Sequence, residues 1–423
     1  MEPSPRESEQ EHRQSPGRWL NATVAGAGIT SALGDFCYET TTVMLPGFLA
    51  ALGLPASALG TIEGLADAVA SFTRMGAGHA ADRLGHRKLL VVLGYAMTPL
   101  GQALIALAAG WPLILLGRLV SWFGKGLRGP LRDAIVIQAV QPHTKGRAFG
   151  FHRAADTVGA ALGPLLGVAL LGWAQRLHWH GTTAPFRLVL WLSILPGLLA
   201  VLAFVLLVRD PMHSPNPRAS FLGSLRELPP GFRRYLGAVG LFGAGDFSAS
   251  LLILAATTLL APSLGMLRAA QVAGLLYVWR NIVQVVASYP IGWLADRFGH
   301  MRLLRAGYAL GVATALLAAL AFGMHAHGMV LLGTLFLLSG LYVAIEEALE
   351  PTVSAEMLRA EGLVTGYAAL GTVNGVARLV SSSLVGLVWT AASAALAFGL
   401  AALLMAGGTA ALLREAGAPR RQA

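Results

Sequence analysis

Acidic and basic side chains recur inside long apolar runs of this chain, where water is scarce and an unpaired charge is costly. Asp35 and Glu39 stand four residues apart, as do Glu63 and Asp67, so on a helix each pair shares one face. Arg118, Lys125 and Arg132 recur every seven residues with Arg128 between them, which lays these cations along one stripe. Arg74, Asp133, Arg153 and Asp156 lie in or near the same runs, and the second half carries Asp246, Glu346, Glu347 and Glu350 against Arg280 and Arg378. A charge at the centre of a bilayer costs at least about 2.5–3.5 kcal/mol on insertion scales, so each group should face a partner or a wet cavity. The chemistry open to such a set is proton uptake and release by carboxyl groups and anion contact by cations. Asp35, Glu39 and Asp246 read as proton or substrate acids. Lys125, between Gly124 and Gly126, reads as a cavity cation, with Arg118 beside it on the stripe. Arg128 and Arg132 either join an ion-pair network within the N-terminal half or extend to water at the membrane surface. Asp67, Asp156, Glu346 and Glu347 complete the expected pathway. Glu350, just before Pro351, is expected only to end its helix at the surface.

The elements that must position these groups are membrane-spanning helices. Apolar residues make up 55% of the 423-residue chain and charged residues 12%, about half the charged share of a soluble domain. A spanning helix needs about 20 apolar residues, and twelve such runs fit, at 21–48, 57–80, 88–109, 112–139, 146–174, 185–208, 232–260, 268–294, 302–323, 329–351, 361–390 and 392–413. The polar, Pro-rich stretch 209–231 suits a cytoplasmic linker between bundles at 20–208 and 232–414. Residues 1–19 and 415–423 are expected to be cytoplasmic tails, and 1–19 lack the apolar centre of a cleaved signal. Arg and Lys concentrate in the even-numbered links, which places both termini in the cytoplasm by the positive-inside rule.

The formal charge of +10 does not imply nucleic acid, because the basic residues sit in short links between apolar segments. Cys37 is the only cysteine, which excludes an internal disulfide and a cysteine-rich metal site. His178 with His180, and His325 with His327, read as surface histidines, so no metal and no cofactor is expected. Gly124-Lys-Gly-Leu-Arg-Gly129 matches a dinucleotide-binding pattern, but no strand precedes it. It reads instead as a flexible or broken part of the fourth helix.

The chain is also duplicated. Gly78-His-Ala-Ala-Asp82-Arg83-Leu-Gly85-His-Arg87-Lys recurs half a chain later as Gly292-Trp-Leu-Ala-Asp296-Arg297-Phe-Gly299-His-Met-Arg, and Gly34-Asp35-Phe36 recurs as Gly245-Asp246-Phe247. This doubled loop motif resembles that of the major facilitator superfamily. The resemblance implies an all-α membrane protein of twelve helices in two pseudo-symmetric six-helix bundles, with helices 1, 4, 7 and 10 around a central cavity. It also implies a cytoplasmic gate built from Gly78, Asp82, Arg83, Gly85, Arg87, Gly292, Asp296, Arg297 and Gly299. Gly159, Gly163, Pro164 and Gly167 in the fifth helix are similar to the antiporter motif of the superfamily's proton-coupled exporters. Physically, small residues four apart permit close helix contact.

The function expected is therefore not enzymatic. It is proton-coupled efflux of a small organic molecule by alternating access, from a monomer spanning a bacterial inner membrane, with protons, cargo and lipid as its partners. An importer of an anionic nutrient or metal chelate is the alternative that the basic stripe supports. A non-transporting sensor on the same scaffold is disfavoured by the short tails and linker.

Overall fold

The computed structural model describes residues 19–84, 87–141, 144–177, 181–209, 228–358 and 363–414. The expected gate residues Gly78, Asp82 and Arg83 sit where side chains are outside that description, and Gly85 lies outside it altogether. So do the expected tails at 1–18 and 415–423, the linker segment 210–227, and His178 and His180.

The described residues form helices α1 (Ala22–Ala51), α2 (Ala56–Leu84), α3 (Arg87–Leu107), α4 (Trp111–Gln138), α5 (Lys145–Gln175), α6 (Ala184–Leu207), α7a (Pro230–Gly243), α7b (Ala249–Leu264), α8 (Met266–Phe298), α9 (His300–Gly323), α10 (Met329–Met357), α11 (Leu363–Ala391) and α12 (Ala394–Arg414). Seven are long and apolar enough to cross a membrane on composition alone: α3, α5, α6, α9, α10, α11 and α12. The others owe their lower hydropathy to the ionisable groups described above, or to the division of the seventh run.

One end of the molecule gathers the α6–α7a linker with the even-numbered links. Lys88 Nζ donates to the Val205 carbonyl at 2.8 Å, Asn21 Nδ2 to the Ala139 carbonyl at 2.7 Å, and His300 lies 2.7 Å from Glu356. The opposite end gathers the odd-numbered links, where Arg187 donates to the Ala106 and Ala108 carbonyls at 2.6 Å and the Ser57 amide to Thr390 at 2.9 Å. These are called the linker face and the far face below.

α1 to α6 pack into one bundle and α7a to α12 into the other. The halves meet along α2 with α11 and along α5 with α8, pairs that exchange under a shift of six helices, as the duplicated sequence requires. At the far face the contact is tight. A side chain at Gly47 would strike Ala270 and Phe186, one at Gly274 would strike Val43 and Val168, and Gly60 lies against the α11 backbone at Ser382.

The structure corrects several expectations. The seventh run is not one helix, because it breaks between Gly243 and Ala249 and resumes to Leu264. Gly245 there packs against the Ala401 carbonyl and Met405 of α12, and the Ser248 amide is held by Ser382 at 3.1 Å. Irregular backbone at membrane depth is tolerated where protein or a wet cavity satisfies it. α4, expected to be broken near Gly124, is continuous from Trp111 to Gln138. Its glycines serve packing, since Gly124 abuts Gly94 of α3 and Gly126 abuts Ala70 and Thr73 of α2. Arg128 does not extend to water but is 3% exposed inside the bundle. Glu350 does not end α10, which continues through Pro351 to Met357, and its side chain is buried.

Candidate functional site

A cavity of about 1370 Å³ lies between the halves. Every residue of the expected pathway lines it: Asp35, Glu39, Asp67, Arg118, Lys125, Arg128, Asp156, Asp246, Glu346 and Glu347. Towards the linker face its wall includes Arg132, Asp133, Arg153, Pro351 and Tyr367, whereas the far face is closed by the packing described above.

The N-terminal wall holds one tight pair and several looser ones. Arg118 of α4 engages Glu63 of α2 through Nε and Nη2 at 2.9–3.1 Å, and its Nη2 also donates to Thr42 Oγ1 at 3.3 Å. The guanidinium carbon sits 3.5 Å from the Trp122 ring centroid, and Trp122 Nε1 donates to Asp67 at 2.9 Å. Asp35 of α1 is 3.7 Å from Arg128, and Asp156 of α5 lines the same wall. Arg128 itself is held by Thr98 Oγ1 at 2.7 Å and by the Tyr95 ring. Nearer the linker face, Arg132 bonds Asp133, Ser31 and Tyr95, Ser31 donates to Asp156 at 2.8 Å, and His152 lies 3.7 Å from Asp133. The His152–Asp133 contact joins α5 to α4.

The C-terminal wall is built around acids. Arg378 of α11 stands 3.8 Å from both Asp246 and Glu346. Tyr342 donates to Asp246 at 2.9 Å, and Glu346 Oε2 is buried without a hydrogen-bond partner among the described residues. Glu350 accepts from Tyr308 at 2.6 Å and Asn374 at 2.8 Å, while Gln284 donates to Glu347 at 2.8 Å.

Lys125 and Arg280 line the cavity with only neutral close partners among the described residues. Lys125 Nζ sits 3.9 Å from the Tyr38 ring centroid and 5.3 Å from that of Trp122. Arg280 of α8 donates to Ser339 at 3.2 Å, Asn281 at 2.9 Å and Gln284 at 3.1 Å. Among the described residues, side-chain hydrogen bonds cross between the halves at cavity depth: Tyr277 donates to Glu39 at 3.0 Å, Ser248 to Glu63 at 3.3 Å, and Asn281 Nδ2 to the Ala160 carbonyl at 3.4 Å.

The site therefore includes residues that charge spacing did not single out, namely Tyr38, Trp122, Tyr277, Asn281, Tyr342 and Asn374. Their signal was positional. Tyr38 is three residues from Asp35, Tyr277 three from Arg280 and Tyr342 four from Glu346, one helical turn in each case.

Among the expected gate residues, Asp296 pairs with His300 at 3.2 Å, Arg297 lies 5.8 Å from both the Trp293 and Phe298 ring centroids, and Arg87 is buried. No added side chain at Gly292 would meet a neighbour. Gly299 divides α8 from α9 at φ +95°, a conformation that favours glycine. The motif glycines of α5 all face α1: Gly159 meets Ala32, Gly163 meets Phe36 and Glu39, and Gly167 meets Thr40 and Val43. Pro164 supplies no N–H to the Ala160 carbonyl one turn back, and that carbonyl is the one that Asn281 reaches.

Two helical bundles around a charged cavity closed at one face form the architecture of a membrane carrier. The model of the Major Facilitator Superfamily matches residues 25–266, and the chain belongs to that superfamily as a multi-pass membrane transporter, not an enzyme. It is 26% identical over 355 residues to an uncharacterised MFS-type transporter of Methanocaldococcus jannaschii, covering 84% of this chain and 86% of that one. It is 34% identical over 145 residues to the multidrug resistance protein MdtH of Photorhabdus laumondii, covering 34% of this chain and 36% of that one. In structure it resembles a variant of the nucleoside transporter NupG (TM-score 0.78, 14% identity, 93% of this chain and 99% of that one). It also resembles the peptide transporter POT in complex with sulfate (TM-score 0.76, 15% identity, 96% and 97%).

Proposed function

We propose that this transporter is a proton-coupled exporter of a small organic molecule, working by alternating access. The observation that carries this is the convergence of loosely held carboxyl groups from both halves on one cavity closed at the far face. In this reading the linker face and both termini are cytoplasmic, the membrane is a bacterial inner membrane, and the cavity is open inward. Cargo is taken from the cytoplasmic side, the bundles rock about the midplane site, and Asp35, Glu39 and Asp246 exchange protons for cargo. The doubled loop motif with Asp82, Arg83, Asp296 and Arg297 forms the gate at the linker face. Both halves of the cavity come from one chain, so a monomer suffices. The local likeness to MdtH adds modest support for efflux.

Everted membrane vesicles test the direction. An imposed gradient, acid inside, should drive cargo into the vesicle, with candidates drawn from a panel of toxins against which a deletion strain is scored. Absence of gradient-driven uptake across that panel would overturn the proposal.

Lys125 and Arg280, which lack carboxylate partners among the described residues, favour a second reading. In it an anionic nutrient or metal chelate enters with a proton. Right-side-out vesicles with acid outside should then accumulate the anion, and everted vesicles should not.

A further inference from the structure

The two seams between the halves are unequal. α2 meets α11 from Ser57 with Thr390 at the far face to Met75 with Thr372 towards the linker face, about 27 Å at 1.5 Å per residue. α5 meets α8 from Gly172 with Gln271, through Val168 with Gly274, to Ala160 with Asn281, about 18 Å. Below Asn281, among the described residues, no hydrogen bond or ion pair joins α5 to α8, although both helices run on to the linker face. A side chain added at Gly150 or Gly292 there would meet nothing.

The last contact is a built one. Pro164 leaves the Ala160 carbonyl without its helical donor, Asn281 supplies the replacement, and Arg280 holds the Asn281 amide from its oxygen side at 2.9 Å. This closes the top of the gap. Below it, Val285 both lines the cavity and is 44% exposed. The outer rim is apolar, with Val158, Val286 and Tyr289 exposed, and Tyr289 reaches 85%. The inner rim is polar, with Thr157, Gln284 and Ser288 on the cavity wall.

We propose that the gap between α5 and α8 on the linker side of Ala160 and Asn281 is a lateral portal, through which a single-chain amphiphile passes between the adjoining bilayer leaflet and the cavity. An apolar rim facing lipid and a polar rim facing water satisfy the two ends of such a molecule at once. A wholly polar cargo gains nothing from the apolar rim and has the open linker face instead. This deepens the transporter reading, on which it rests, by naming the cargo class and its route.

The test uses the full chain in phosphatidylcholine vesicles without a proton gradient, so its outcome is independent of coupling and direction. Bimane is attached at Gly371→Cys, a position on α11 that lines the cavity with open space around it. The native Cys37 is buried, and the unsubstituted chain gives the labelling background. The probe is stearic acid carrying a doxyl quencher, with iodide as the aqueous quencher. Doxyl-stearate should quench the cavity label, and Val285→Trp should abolish that quenching while leaving iodide quenching unchanged, which also reports an intact fold. If doxyl-stearate never quenches the label, or quenches it equally with Val285→Trp present, the portal is refuted. Failure of proton-driven transport in the vesicle assays would leave this result standing, and the reverse also holds.

Discussion

Glu63 and Arg118 form a clamp, whereas the ion pairs of Asp35 and Asp246 are longer, and the difference separates structural charges from exchangeable ones. Arg118 grips Glu63 at 2.9–3.1 Å with both groups buried. Removing one partner of a buried pair strands the other charge, at about 3–5 kcal/mol. Glu63→Gln is expected to lower thermal stability in detergent by that order, and an unchanged melting temperature would show that the pair is not structural. Asp35 stands 3.7 Å from Arg128, and Asp246 stands 3.8 Å from Arg378. These separations exceed hydrogen-bond length, and the close partner of Asp246 is the neutral Tyr342 at 2.9 Å, so neither carboxyl group is clamped to a cation. Asp35→Asn is therefore expected to insert and fold as the native chain does but to lose proton-driven transport. Gradient-driven uptake at the native rate would remove Asp35 from the coupling. The charged residues were legible in the sequence because charge inside an apolar run is conspicuous. Their pairing was not, since it depends on helix rotations. Glu350 shows the gap: beside Pro351 it looked like a helix terminus, but burial against Tyr308 and Asn374 comes from two other helices that the local sequence does not reveal.

At the scale of the helix, small residues and prolines decide how closely elements approach. Gly159 of α5 lies against the backbone of Ala32, so Gly159→Val should force α1 and α5 apart at about 1–3 kcal/mol. Gly150, with open space around it, should tolerate Ala and gain about 0.5–1 kcal/mol from helix propensity. Thermal melts of the two variants should move in opposite directions, and equal shifts would contradict the packing assignment. Pro164 and Asn281 make a second pair. With Pro164→Ala the Ala160 carbonyl can regain a helical donor, so Asn281→Ala should cost about 0.5–1.5 kcal/mol in the native background and less in the Pro164→Ala background. A double-mutant cycle on thermal stability reads this coupling, and strict additivity would refute it. Helix order, number and approximate bounds were legible from the apolar runs. The interruption of the seventh was not, since no proline marks it and its backbone is held by Ser382 and by the α12 surface at Ala401, partners more than a hundred residues away. The same limit applies to Gly124 and Gly126, which looked like a break but are surfaces for α3 and α2.

For the whole molecule, alternating access requires contacts that hold the halves together at the far face now and release them later. Most of that seal is apolar and indifferent to protons. Two hydrogen bonds beside it reach carboxyl groups, Ser248 to Glu63 and Tyr277 to Glu39, and the second ties α8 to α1 at the inner edge of the seal. The groups around it are Asp35 and Tyr38 on α1, Lys125 on α4 and Arg280 on α8, so the charge of Glu39 is felt by cations of both halves. A hydrogen bond to a charged acceptor contributes about 1.5–3 kcal/mol, and one between neutral groups about 0.5–1.5 kcal/mol. Tyr277→Phe removes this tie. Since a ligand or proton shifts a two-state equilibrium only by its differential effect on the two states, the variant should raise the population open at the far face by roughly tenfold. Spin labels at Thr182→Cys in the N-terminal half and Leu264→Cys in the C-terminal half are placed at this face, both on exposed positions. The distance distribution between them should lengthen in Tyr277→Phe. A distribution that Tyr277→Phe leaves unchanged would mean that the apolar seal alone holds the halves together, and the link between proton uptake and opening would have to lie elsewhere in the cavity.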